Sequence, residues 1–258
     1  MKIKILGTVA PYCKDNKNCP GYLVETEDNN ILLDCGNGIT RWLNMEQDLE
    51  NMIIIISHVD WDHFGDLLSL ANTVDLFHKF GYVKEKVKIY TPKPSNKYEE
   101  EIINCKLIRI IAKNHYFTLT EYDEHTTIEL NNTKINFHKT RHPYNTYATR
   151  IENDSGTFVY SADTGYEENI TNFVSKANIF LCEASFLKRQ TRNINTHLYA
   201  YEAGKIAKKA KVDQLILTHF WPEIPASEYI AEAKMEFENT FAAETGKTYI
   251  LNRRHYNG

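Results

Sequence analysis

The sequence predicts an α/β (α+β) fold in which two β-sheets pack face to face with helices outside, and three observations carry that prediction. The first half reads as short apolar strands separated by turns, the second half alternates strand and helix, and no linker rich in Pro, Gly or Ser divides them. A chain of 258 residues without such a linker is expected to form one domain, residues 1–258, around a well-buried core.

The opening Met1-Lys2-Ile3-Lys4-Ile5-Leu6-Gly7 reads as a first strand, because it lacks the uninterrupted apolar stretch of a signal peptide. Gly21 to Glu27 and Asn30 to Asp34 predict a hairpin turning at Asp28-Asn29. Asn51 to Ser57 is almost wholly apolar and β-branched, the pattern of a strand buried on both faces. Past Gly65, residues Leu67, Leu68, Leu70, Ala71, Val74 and Phe77 fall at helical spacing, and Val87 to Tyr90 resumes strand character. Thr126 to Lys139 predicts a hairpin at Asn131-Asn132; Thr146 to Glu152 and Thr157 to Ser161 predict another through Asn153-Asp154-Ser155-Gly156. Ile179 to Cys182 is then a strand, His197 to Ala210 a helix, Gln214 to Thr218 a strand, Ala226 to Thr240 a helix, and Thr248 to Leu251 a last strand.

Composition narrows the function classes. Hydrophobic residues make up 42% and charged residues 25%, with 11 Gly and 7 Pro, which is globular rather than fibrous or disordered. A net charge of -4 and a pI near 6.2 exclude a broad basic field for coating nucleic acid, so no extended nucleic-acid surface is expected. The basic cluster Lys205, Lys208, Lys209, Lys211 reads as a solvated helix face. No window approaches the roughly eighteen consecutive apolar residues of a membrane span. Cys13, Cys19, Cys35, Cys105 and Cys182 are odd in number and scattered, so ordinary thiols in a reducing cytoplasm are expected.

Chemistry concentrates at strand ends, where a rigid sheet fixes donors that loops could not hold. In Ile56-Ser57-His58-Val59-Asp60-Trp61-Asp62-His63-Phe64-Gly65-Asp66, the donors His58, Asp60, Asp62 and His63 follow one apolar strand. His142, Asp163 and His219 each follow another. Seven imidazoles and carboxylates at four strand ends suffice for two adjacent divalent sites sharing one carboxylate. Trp61, Phe64, Tyr144, Tyr147 and Trp221 lie beside these donors and are candidates to stack on a substrate.

This order of motifs resembles the metallo-β-lactamase fold, whose signature is His-x-His-x-Asp-His followed by a distant His, an Asp and a last His. His58, Asp62 and His63 match the first motif, His142 the next, Asp163 the shared ligand and His219 the last. The resemblance implies a four-layer αββα sandwich and places Asp34, in Leu32-Leu33-Asp34-Cys35-Gly36, behind the ligands as a hydrogen-bonding support. Cys182-Glu183-Ala184-Ser185-Phe186 and Asn195-Thr196-His197-Leu198 resemble segments of the ribonuclease Z branch, which cleaves phosphodiesters with the help of a Glu-His pair.

Asp62, Glu183 and His197 are therefore the catalytic candidates. A phosphodiester needs an oxygen nucleophile, neutralisation of the phosphoryl oxygens and a proton for the departing alkoxide. A hydroxide bridging two divalent ions would supply the first, the ions the second, and His197 held by Glu183 the third. The interval from His142 to Asp163 is only 21 residues, which leaves no room for the tRNA-gripping arm of ribonuclease Z.

What remains is similar to the small armless relatives that hydrolyse compact phosphodiesters, including the anti-Pycsar phosphodiesterases that degrade cyclic nucleotides. Gly7 to Tyr12 and Arg141 to Ala148 carry that likeness, which implies a homodimer. A ribonuclease Z-like endoribonuclease and a non-catalytic nucleotide-binding module are the alternatives.

One position departs from the signature: Asp60 stands where the second His is expected. Three readings stay open. Asp60 binds an ion and favours manganese or iron beside or instead of zinc; it is too short to reach, leaving one site weak; or the site is degenerate and only sequesters a ligand.

Overall fold

The computed structural model describes residues 1–103 and 115–251. In chain order the strands are β1 (Lys2–Gly7), β2 (Gly21–Glu25), β3 (Asn30–Leu33), β4 (Met52–Ile55), β5 (Val87–Pro92), β6 (Phe117–Tyr122), β7 (Thr127–Leu130), β8 (Thr133–Lys139), β9 (Tyr147–Asn153), β10 (Gly156–Tyr160), β11 (Ile179–Glu183), β12 (Gln214–Thr218), β13 (Thr240–Ala242) and β14 (Thr248–Ile250). The helices are α1 (Met45–Asp48), α2 (Trp61–Phe64), α3 (Leu67–Lys79), α4 (Lys97–Ile103), α5 (Ile170–Val174), α6 (Ala200–Ala210) and α7 (Ala226–Lys234). Cys105 lies outside the described residues.

The strands form two seven-stranded sheets with helices on their outer faces, ordered β14-β1-β2-β3-β4-β5-β6 and β13-β12-β11-β10-β9-β8-β7. Each sheet changes from antiparallel to parallel pairing part-way. In the first, β1, β2 and β3 are antiparallel and β3 through β6 parallel. In the second, β7 through β10 are antiparallel and β10 through β13 parallel.

The isoleucine run shows why the sequence chooses this arrangement. Side chains alternate across a strand. Ile53 and Ile55 enter the core between the sheets with Ile31, Leu33, Ile135, Phe158 and Leu181, while Ile54 and Ile56 turn outward to pack against Leu70 and Val74 of α3. Burying each such side chain contributes roughly 1.5–3 kcal/mol, so a strand apolar on both faces is worth twice one that faces water. The second sheet repeats the scheme, with Phe180 and Leu215 packed against Ala203, Ile206 and Ala207 of α6.

Two expectations change. The helix expected over Ala226 to Thr240 stops at Lys234, because Thr240 to Ala242 adds to β12 as a parallel edge strand. The helix expected from His197 begins at Ala200, where Glu202 accepts a hydrogen bond from the Tyr199 N–H (3.0 Å) and closes the first turn. That late start leaves His197 on an extended segment. Strand β6, unforeseen, pairs in parallel with β5. Among the described residues no helix is long and apolar enough to cross a membrane.

Candidate metal centre

The donors leave the ends of β4, β8, β10 and β12 and converge between the two sheets. One group brings together His58, Asp60, His142 and Asp163; a second brings together Asp62, His63 and His219; within each, one donor atom per residue lies within 4.8 Å of the others. Asp163 spans the two. Its Oδ2 is 3.5 Å from His58 Nε2, while its Oδ1 is 3.4 Å from His63 Nε2 and 3.1 Å from His219 Nε2. Asp60 reaches the first group, with Oδ2 at 3.3 Å from His58 Nε2 and 3.7 Å from His142 Nε2.

Every histidine of the two groups is held from behind through Nδ1. His63 donates to Asp34 Oδ2 (2.8 Å). His58 faces Ser57 Oγ (3.0 Å), His142 faces Thr146 Oγ1 (3.1 Å) and His219 faces Ser185 Oγ (2.8 Å). Those hydroxyls give their own protons to Asp34, the Tyr144 carbonyl and Glu183 in turn, so they accept from the rings. Each Nε2 is thus the nitrogen left to face the cluster, which is how imidazoles are oriented for a cation.

The donor set passes a test on its own atoms. His58 Nε2 and Asp163 Oδ1 are buried and find no hydrogen bond among the described residues. A buried polar atom without a partner is costly, and a divalent cation among three carboxylates and four imidazoles supplies one.

Electrostatics agree. Burial opposes charge on His63, yet Asp163, Asp62 and Asp34 outweigh it and hold the ring well above its ordinary range. Burial and the neighbouring His58 push His142 down to about 3. Asp62, despite burial, is drawn to about 2 by His63 and His219.

Asp34 is fully buried, accepting from the Ser57 N–H (2.7 Å), the Ser57 hydroxyl (2.9 Å) and the Tyr160 hydroxyl (2.8 Å) as well as from His63. Asp34 and His219 both sit at positive φ, 59° and 60°, a conformation that costs free energy outside glycine and persists where surroundings over-determine it. His197 donates from Nδ1 to Glu183 Oε1 (3.0 Å) and lies 3.8 Å from Asp163 Oδ2. Burial opposes its charge, but Glu183 prevails and lifts the ring to about 9. Glu183 also accepts from the N–H groups of Thr164, Ser185 and Leu198.

The aromatic expectations divide. Phe64 and Tyr147 are not beside the cleft: Phe64 packs in the outer core of the first sheet and Tyr147 in the core between sheets. Trp221 lines the cleft over the donors, a cavity of about 280 Å³. Trp61 is 60% exposed, and Tyr144 meets His142 edge-on at 5.9 Å while stacking on Tyr98. Ser57, Thr146, Ser185 and Phe186 lie within the stretches that carry the sequence motifs but have no role assigned there; Gln190 lies outside every motif and has no signal in the sequence.

A family model, the beta-lactamase superfamily domain, matches residues 29–220. The chain belongs to the beta-lactamase superfamily. Within that superfamily, it is 29% identical to YhfI of Bacillus subtilis over 222 residues, 85% of this chain and 86% of YhfI. The YhfI crystal structure superimposes with a TM-score of 0.84 at 25% identity, covering 96% of this chain and 99% of that one. Ribonuclease Z of Sulfurisphaera tokodaii is 25% identical over 283 residues, covering 93% of this chain and 95% of the enzyme. A diphosphatase from the PhnP family shares the fold, with a TM-score of 0.74 at 17% identity over 98% of this chain and 99% of its own. Superfamily membership and the His/Asp cluster together make this superfamily member a metallo-hydrolase.

Proposed function

We propose that the chain is a metal-dependent phosphodiesterase that hydrolyses a compact phosphodiester, most specifically a cyclic nucleotide. The observation that carries this is the Glu183-His197 pair standing against the donor cluster in a small cleft. An alkoxide leaving phosphorus needs a proton, and His197 is placed beside the donor cluster to give one. The naming of one relative as ribonuclease Z and of another as a diphosphatase supports phosphorus as the reacting centre.

His58, Asp60 and His142 would hold one divalent ion, His63, Asp62 and His219 a second, and Asp163 would serve both. Zinc suits the imidazoles, while Asp60 shifts the first site toward manganese or iron. Bound there, the ions would activate water and neutralise phosphoryl charge.

The remaining work falls to the chain's own groups. Glu183 fixes the His197 ring through Nδ1, so the Nε2–H is the proton offered to the leaving oxygen. Three backbone N–H groups on Glu183 hold that carboxylate in place. Asp34 keeps His63 aimed.

The four cysteines among the described residues are free thiols, in keeping with a reducing cytoplasm, and Trp61, exposed between Asp60 and Asp62 in the chain, supports a homodimer whose partner covers it. Turnover of cyclic mononucleotides, linear dinucleotides and structured RNA tests the reading. Hydrolysis of RNA alone would transfer the chain to the endoribonucleases, which its likeness to ribonuclease Z favours as the second reading. Tight nucleotide binding without hydrolysis would make it a sequestering module.

A further inference from the structure

Resting on the phosphodiesterase reading, we propose that the far wall of the cleft is a nucleobase subsite in which Gln190 selects the base. The subsite takes guanine and uracil, with a carbonyl at purine position 6 or pyrimidine position 4, over adenine and cytosine, which carry an amine there.

Gln190 lines the same cleft as His197 and His219, together with Phe186, Trp221 and Pro11. Its amide has a defined orientation. The Leu187 N–H donates to Gln190 Oε1 at 2.7 Å, so the atom on that side is oxygen and the other is the NH₂. The Tyr199 hydroxyl donates to the Gln190 carbonyl at 3.1 Å and anchors the backbone beneath it. Nε2 makes no hydrogen bond to any described residue, which leaves two N–H donors for a ligand in the cleft.

The aromatic walls are equally fixed. Phe186 is tied into the chain by hydrogen bonds from its N–H to Leu198 O (3.0 Å) and to its carbonyl from the Ala200 N–H (2.9 Å), and its ring meets Tyr199 edge-on at 6.0 Å. Trp221 is met edge-on by Tyr12 at 5.9 Å, and the Tyr12 hydroxyl donates to Glu223 (2.8 Å). Flat apolar surfaces held in place suit base stacking, which is tolerant of base identity. Discrimination must then come from the polar group among them. Phe186 stands 6.3 Å from His197, close enough for one nucleotide to touch the subsite and the proton donor together. A fixed NH₂ meets a carbonyl favourably and an amine unfavourably, because two donors then face each other and the N–H aimed at the amine goes unpaired.

The test compares kcat/KM for cyclic GMP, UMP, AMP and CMP on the wild-type enzyme, and repeats the series with Gln190→Glu and Gln190→Met. Glu keeps an oxygen for the Leu187 N–H but replaces the NH₂ by an acceptor. We expect a preference on the order of tenfold for the carbonyl bases in the wild type, an inverted ratio in Gln190→Glu and none in Gln190→Met. A wild-type ratio within about twofold, or a ratio unmoved by Gln190→Glu, would overturn the subsite. Bis-p-nitrophenyl phosphate, which has no base, separates the two levels: wild-type turnover of it without base preference sinks the subsite alone, and no turnover of it or of any cyclic nucleotide sinks both.

Discussion

Single side chains set the chemistry, and three substitutions read them. His197→Ala should lower kcat for an alkyl phosphodiester by about 10²–10⁴-fold while barely affecting bis-p-nitrophenyl phosphate, whose leaving group departs unprotonated. Equal losses on the two substrates would assign His197 to binding. Asp34→Ala strips the Ser57, His63 and Tyr160 donors of their buried acceptor; urea unfolding should show a loss of roughly 3–5 kcal/mol. Asp60→His should move metal content toward zinc by about tenfold, measured after dialysis against mixed zinc and manganese. The candidate donors His58, Asp60, Asp62 and His63 stand out by their local spacing, whereas His142, Asp163 and His219 stand out only as scarce residue types after predicted strands. Phe64 and Tyr147 show that nearness to a ligand in sequence is not nearness in space, for both side chains turn into the core. Tyr147 shares a face of β9 with Ile151, and both meet the inter-sheet core. Gln190 sits in a stretch with neither period nor motif to read.

At the scale of elements, close approaches hold the donors in register. Gly36, just after β3, lies where an added Cβ would stand 2.1 Å from the Asp62 carbonyl oxygen and 2.6 Å from that of Pro20. Gly36→Ala must therefore displace the one-turn helix α2, and with it Asp62 and His63. The expected result is a loss of about 1–3 kcal/mol in unfolding and less metal bound at the second group, by calorimetry and metal analysis of the same sample. On the other sheet, the late start of α6 does the corresponding work. Arg192 donates to the His197 carbonyl (2.6 Å) and to Glu202 (2.6 Å), bracing the extended segment that carries the proton donor. Strands β1 to β4 were readable from their apolar alternation or apolar runs. Strand β13 was not, since three residues are too short to carry a period, and the helical pattern of α7 runs visually into it. In β6, Phe117-Thr118-Leu119-Thr120 does alternate, but four residues carry a weak signal beside the longer runs.

On the scale of the molecule, the two sheets carry different parts of one centre. His58, Asp60, Asp62 and His63 come from the first sheet, and His142, Asp163 and His219 from the second. A chelator should thus lower the thermal midpoint of the whole protein, and divalent ions at a hundredfold excess over their dissociation constant should restore about 2.7 kcal/mol. An unchanged midpoint would mean that the centre holds no ion when folded. The general architecture was legible because it follows from bulk patterning, whereas the junction between sheets depends on registers that no local stretch encodes. One consequence of that junction is mechanical. Each ion would act as a rivet between two layers, closing a loop of chain as a disulfide does, yet one that can be withdrawn and reinserted without breaking a covalent bond.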